Sequence, residues 1–231
     1  MIAIGGLQKV SLIDYPGYIS AIVFLQGCNF RCGYCHNPEL VNPKLYGPLL
    51  QEEDILAFLE KRVGKLDAVS ITGGEPTLQE GLPDFIRRIR AAGFRIKLDT
   101  NGSHAEMIKS LLEENLLDYI AMDIKAPLHR YDRVCRVNAD KDEIARSIRI
   151  IMESSIAYEF RTTLVHDLIH DDEFPAMWDL IRGARLFVLQ NFTPSKALDD
   201  RYLLRKPLSP DDLHRLADAA GQHVEKVIIR A

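Results

Sequence analysis

The sequence predicts an α/β fold, either a partial (β/α)6 barrel or an open doubly wound sheet. Three observations predict it. Short apolar strands alternate with amphipathic helices, which is the pattern of a parallel sheet with helices outside it. Six such units can be counted, too few for a full eight-stranded barrel of about 250 residues. The polar motifs fall at the C-terminal ends of the predicted strands, where both folds place their ligands. Residues 1–231 are expected to form one domain, with no linker, low-complexity tract or repeat beyond the βα unit.

Taken in order, Ala21 to Leu25 reads as a first inner strand and Glu52 to Arg62 as a helix, with Ile55, Leu56 and Leu59 on one face. Ala68 to Thr72 is a second strand, and Leu82 to Ala92 a helix that Gly93 stops. Arg95 to Asp99 is a third strand, followed by the helix Ala105 to Glu114. Tyr119 to Lys125 is a fourth strand, and Lys141 to Glu153 a helix carrying Ile144, Ile148 and Ile151. Glu159 to Val165, the helix Glu173 to Ile181 and Leu186 to Phe192 supply strands five and six. Pro210 to Ala220 is a last helix, and Val224 to Ile229 reads as a terminal strand.

Composition narrows the function classes. Apolar residues make up 47% and charged residues 27%, enough to bury a core and against disorder. A net charge of −4 without any Lys/Arg-rich run argues against a nucleic-acid partner. The apolar stretches are strand-sized, so no membrane span is expected. The N-terminus lacks a basic region followed by an apolar one, and with free thiols this places the protein in a reducing cytoplasm.

The chemistry centres on one loop, Cys28-Asn29-Phe30-Arg31-Cys32-Gly33-Tyr34-Cys35-His36-Asn37-Pro38, which holds three of the four cysteines. Thiolates that close can share one metal site. Iron–sulfur clusters are held by cysteine thiolates, usually four for a four-iron cluster, so three leave one iron open to a ligand. The same spacing suits a structural zinc knot with His36 as fourth ligand. A disulfide is disfavoured, since three clustered cysteines leave an odd thiol. Cys135 is the remaining thiol and reads as a small core or surface residue. The other histidines form no metal-spaced set.

This loop resembles the signature of the radical S-adenosylmethionine (radical SAM) enzymes, in which C-x3-C-x2-C with an aromatic before the last cysteine binds a [4Fe-4S] cluster. The resemblance implies that the amino and carboxylate groups of SAM chelate the open iron. One electron then splits the sulfonium into methionine and a 5′-deoxyadenosyl radical. It favours the partial barrel of the radical SAM type. The turn Gly73-Gly74-Glu75-Pro76 after strand two resembles the motif whose backbone carbonyls accept hydrogen bonds from the methionine amino group. Two motifs in the right order on the right strand ends weigh against zinc.

Strands three and four add carboxylates. Asp99-Thr100-Asn101-Gly102 ends one, and Asp123-Ile124-Lys125 ends the other. Asp123 and Lys125, two apart on a strand, share a face. Were Asp99 and Asp123 neighbours, they would repel unless a cation sat between them or one were protonated. Lys125 and a bound monovalent metal are the two candidates.

Together with Ser11-Leu12-Ile13-Asp14-Tyr15-Pro16-Gly17 and Gln26-Gly27-Cys28, these stretches look like the glycyl-radical-enzyme activases, over nearly the whole chain. The sequence is most similar to the branch that activates anaerobic ribonucleoside-triphosphate reductase, which Gln190-Asn191-Phe192-x-Pro194 also fits. In pyruvate formate-lyase activase a histidine that helps hold SAM stands at the place of Phe192. The resemblance implies that Gly73, Gly74, Glu75, Asp99, Asn101, Lys125 and Arg161 bind SAM, and that Asp99, Thr100 and Asp123 line a monovalent cation site. It further implies that Asp14 meets the glycine loop of the substrate protein. The expected partners are a glycyl-radical enzyme subunit, foremost an anaerobic ribonucleotide reductase, and an electron donor such as flavodoxin or ferredoxin. The alternatives are a radical SAM enzyme acting on a small molecule, such as a carboxy-deazaguanine synthase, and a non-enzymatic zinc-binding or electron-carrier module.

Overall fold

In the computed structural model, which describes residues 2–230, eight strands form a single sheet in the order of the sequence, β1 to β8. These are β1 Ile4–Ser11, β2 Ser20–Leu25, β3 Ala68–Gly73, β4 Arg95–Thr100, β5 Tyr119–Asp123, β6 Ala157–Leu164, β7 Phe187–Asn191 and β8 Val227–Arg230. β1 runs antiparallel to β2, and every later pair is parallel. The α/β partial barrel holds, but the strand count needs correcting. β2 through β8 make seven parallel strands, one more than the six strand–helix units, because the terminal strand joins the sheet beside β7. β1 was not anticipated at all. It carries Gly5 and Gly6, and Gly5 sits so close to Leu40 that a Cβ there would meet it at 2.6 Å.

The helices are α1 Pro38–Val41, α2 Glu52–Glu60, α3 Leu82–Ala91, α4 Ala105–Glu113, α5 Tyr131–Cys135, α6 Lys141–Glu153, α7 Phe174–Leu180 and α8 Pro210–Ala220. The longer ones form for local reasons. α3 buries Leu82, Phe85, Ile86 and Ile89 at helical spacing, and the chain leaves it through Gly93 at φ +93°. α6 starts at Asp140, whose carboxylate accepts from the Asp142 and Glu143 amides at 3.1 Å. α8 starts at Ser209 followed by Pro210, with Ser209 Oγ accepting from the Asp212 amide. The short α1 and α5 flank the cysteine loop and have no periodicity long enough to read.

Alternation along the strands separates two faces. Val23, Ile71, Leu98, Met122, Phe160 and Leu189 are buried in the core with the helices. The other face lines a lumen and is polar: Lys97 and Asp99 on β4, Asp123 on β5, Glu159, Arg161 and Thr163 on β6, and Gln190 on β7. Tyr15, from the loop after β1, packs into this lumen against Ala68, Tyr119 and Ala121. No described helix is long and apolar enough to cross a membrane.

Candidate active site

The C-terminal ends of the parallel strands surround a cavity of about 370 Å³. Cys28, Cys32 and Cys35 line it, together with Gly73, Gly74, Glu75, Asp99, Thr100, Asn101, Asp123, Lys125 and Arg161. The candidate residues from the β2 loop, β3, β4, β5 and β6 therefore come together at one place. Asp14 lines the same cavity from the loop after β1.

The two glycines explain how β3 meets the cysteine loop. Gly73 lies at φ +119°, and a Cβ on it would stand 2.4 Å from the Leu25 carbonyl. A Cβ on Gly74 would stand 2.0 Å from the Gly27 carbonyl, so only glycine allows the turn to press against the loop backbone. The contact is closed by Gly74 N–H to Leu25 O at 2.8 Å and Glu75 N–H to Gly27 O at 2.7 Å. Glu75 then ties this turn to the end of β4. It is fully buried and accepts from Thr77 N at 3.0 Å, Thr100 Oγ1 at 2.7 Å and Asn101 N at 2.6 Å. Burial pushes its carboxyl up against the pull of these donors. Thr100 spends its hydroxyl on Glu75 while lining the cavity beside Asp99 and Asp123.

Each thiol of the loop has a nearby donor. The Phe30 amide lies 3.3 Å from Cys28 Sγ, and the Asn101 side-chain amide 3.9 Å from it. The Asn37 amide donates to Cys35, and Cys135 hydrogen-bonds to Cys32. Cys135 is thus a buried neighbour of the loop, and its carbonyl accepts from Arg31 N–H at 2.8 Å. Burial pushes the Cys28 thiol up to about 12, and Cys35 upward too, whereas the hydrogen bond with Cys135 draws Cys32 down. Loading a metal here must therefore release protons.

His36 lines the cavity with the thiols, but its ring is engaged elsewhere. Its ring stacks on Phe192 with centroids 5.2 Å apart and planes 7° apart, and Nε2 lies 3.1 Å from the Thr193 carbonyl. Among the described residues, no three His, Cys, Asp or Glu side chains converge as a single ion would need. Three thiols with donors and no fourth protein ligand suit a [4Fe-4S] cluster with one open iron. Phe192 is fully buried between His36, Tyr34 and Tyr202, so it forms a wall behind the loop. The segment after β7 braces the loop further, with Asp199 N–H to Gly33 O at 2.9 Å and Arg136 to Asp199 at 2.6 Å.

Opposite the thiols lies a chain of charges. Arg161 bridges the two strand-end carboxylates, with Nη1 3.1 Å from Asp99 Oδ2 and Nε 2.8 Å from Asp123 Oδ1. Lys97 pairs with Asp99, and Lys125 Nζ lies 2.9 Å from Asp123 Oδ2. Below them, the fully buried Glu159 receives Arg230 through two contacts of 2.8 and 2.7 Å and the Tyr119 hydroxyl at 2.9 Å. Burial alone would raise Asp99 and Asp123. Arg161 with Lys97 and Lys125 outweighs it and holds both below the usual carboxylate range. The same carboxylates hold Arg161 and Lys125 upward against their own burial.

Lys97, Glu159, Tyr119 and Arg230 were not singled out from the sequence. Their signal was present: charges at 95, 97 and 99 and at 159 and 161 alternate along strands that are otherwise apolar. Cys135 and the Arg136–Asp199 brace left no comparable trace.

Comparison with known proteins places this arrangement. Residues 22–181 match the family model described as the radical SAM superfamily. A Methanocaldococcus jannaschii protein named for glycyl-radical enzyme activation is 31% identical over 98% of this chain and 95% of its own. A 7-carboxy-7-deazaguanine synthase of Methanopyrus kandleri is 29% identical over 88% of each chain. The crystal structure of QueE from Escherichia coli superposes with a TM-score of 0.55, covering 100% of this chain and 94% of that one, at 14% identity that speaks for the fold alone. The chain belongs to the radical SAM superfamily, enzymes that work with a [4Fe-4S] cluster and S-adenosylmethionine.

Proposed function

We propose that this enzyme generates a glycyl radical on a partner protein, foremost an anaerobic ribonucleotide reductase. When bound, the cluster and SAM would supply the chemistry: one electron from the reduced cluster would release methionine and leave a 5′-deoxyadenosyl radical to take a hydrogen atom from a glycine Cα. The chain's residues provide the placement. Cys28, Cys32 and Cys35 hold the cluster. Gly73 and Gly74 offer carbonyls to the methionine amino group, and Asn101 keeps Cys28 and Asn29 in register at the end of β4. Lys125 and Arg161 receive the methionine carboxylate. Each is anchored by a carboxylate yet keeps donors uncommitted among the described residues, Nη2 in the case of Arg161.

The observation that carries the protein-substrate reading is the position of Asp14. It reaches the cofactor cavity from a loop whose neighbours Leu12 and Ile13 are 73% and 86% exposed. An acceptor flanked by bare apolar side chains suits a polypeptide loop, which brings both amides and side chains. The relative named for glycyl-radical enzyme activation agrees with it. A second reading, a small-molecule enzyme of the carboxy-deazaguanine synthase kind, draws on the Methanopyrus relative. An electron donor of the flavodoxin or ferredoxin type would serve either.

The test is anaerobic. Reconstituted protein should hold about four irons, lost on Cys→Ala at position 28, 32 or 35 and kept on Cys135→Ala. With SAM, a reductant and an anaerobic ribonucleotide reductase large subunit, electron paramagnetic resonance should show a stable glycyl radical. Asp14→Ala should reduce that transfer far more than it reduces SAM cleavage without partner. SAM cleavage with no glycyl radical, together with turnover of a deazaguanine precursor, would replace this reading by the second.

A further inference from the structure

Asp99, Asp123 and Glu159 meet more protein cation than they need. Asp99 and Asp123 are contacted by three cationic side chains: Arg161 bridges both, Lys97 adds a second partner to Asp99, and Lys125 adds a second to Asp123. Arg161 is itself fixed from below. Its Nη1 stands 4.0 Å from Glu159 Oε1, and Glu159 is clamped by Arg230 and Tyr119. Counted together, Lys97, Lys125, Arg161 and Arg230 face Asp99, Asp123 and Glu159, so one positive charge is left over among these groups. Lys97 and Glu159 are 2% and 0% exposed, which leaves these charges little screening by water.

We propose that Arg161, Lys97 and Lys125 perform the work of a bound monovalent cation between Asp99 and Asp123, so that this chain takes up SAM without sodium or potassium. This rests on the SAM site read above. A metal ion between Asp99 and Asp123 would meet Arg161 in that place, with Lys97 and Lys125 on the far sides of the same carboxylates. Repulsion from three cations would then oppose attraction to two anions already hydrogen-bonded. The surplus charge has a better use, as the counter-charge of an anionic ligand group such as the methionine carboxylate. Lys97 is the decisive residue. Without it, Asp99 keeps only its share of Arg161, and a small cation would supply the missing partner.

Calorimetric titration of SAM into the cluster-loaded protein tests the proposal without reference to turnover. Affinity in choline chloride should match that in potassium or sodium chloride of equal ionic strength to within about twofold; a tenfold or larger loss in choline overturns the proposal. Lys97→Met should bind about tenfold more weakly in choline than in potassium, while Lys97→Arg should bind equally in both. A Lys97→Met protein weakened to the same degree in both salts would show a structural role only, and overturns the assignment of Lys97. Should that variant fail to fold, the wild-type comparison still decides. No SAM binding in any salt defeats the cofactor reading itself, whereas binding that demands potassium defeats only this inference.

Discussion

Gly74 shows how narrow the tolerance is at the scale of one residue. Its backbone touches that of Gly27, one position before Cys28, and no side chain lies between them to move aside. Adding a methyl group there forces the β3 turn and the cysteine loop apart, and strains the bonds from Gly74 and Glu75 to Leu25 and Gly27. Gly74→Ala should therefore cost at least about 2 kcal/mol in urea unfolding and lower the iron bound after reconstitution. A variant as stable and iron-loaded as the wild type would show that the loop can slide. The sequence offered the Gly-Gly pair as a means of approaching a ligand. The first thing it approaches is the neighbouring loop, and that distinction needs the parallel register of β2 and β3. Glu75 is similar: its motif marked it for cofactor binding, while its hydrogen bonds spend it on joining two turns.

β8 illustrates what decides an element. Its four residues are only partly buried, though Val227 and Ile229 pack against the core and the strand pairs with β7. What pins it further is Arg230, near the end of the described chain, reaching the fully buried Glu159. Removing one partner of a buried ion pair leaves the other uncompensated, which typically costs about 3–5 kcal/mol. Arg230 is partly exposed, which puts Arg230→Met at about 3 kcal/mol. Thermal unfolding would register this, and Arg230→Lys should recover part of it. No loss with Met would mean that Tyr119 and Arg161 satisfy Glu159 unaided. The terminal strand was legible from its apolar run, but its purpose was not, because Glu159 and Arg230 are 71 residues apart in sequence. The same gap explains β1, whose two glycines conceal a strand that only its pairing with β2 reveals. The longer helices, by contrast, carry their periodicity and caps within their own span and were read to within a few residues at each end.

At the scale of the whole molecule, the half-buried Asp99 and Asp123 and the buried Glu75 set opposite responses to acid. Asp99 and Asp123 have folded values below their unfolded ones, so the stability they contribute is present above about pH 4 and is lost as pH falls through the folded values. Glu75 is raised, so its burial costs least when it is protonated and the protein gains from it as pH drops. Stability to urea should accordingly hold or rise slightly from pH 7 to pH 5 and then decline below about pH 4. Asp123→Asn should flatten the decline. A steady loss already between pH 7 and 5 would mean that other groups dominate. The strand order has a separate consequence, for synthesis. Because each strand pairs with its neighbour in sequence, the sheet can assemble from its N-terminal side as the chain emerges from the ribosome. The cysteine loop is then made early, whereas Gly74, Cys135 and lastly Asp199, which brace it, follow in that order. Until Asp199 is made, the three thiols lack the last of these braces, so iron loading is expected to be most complete on the finished chain.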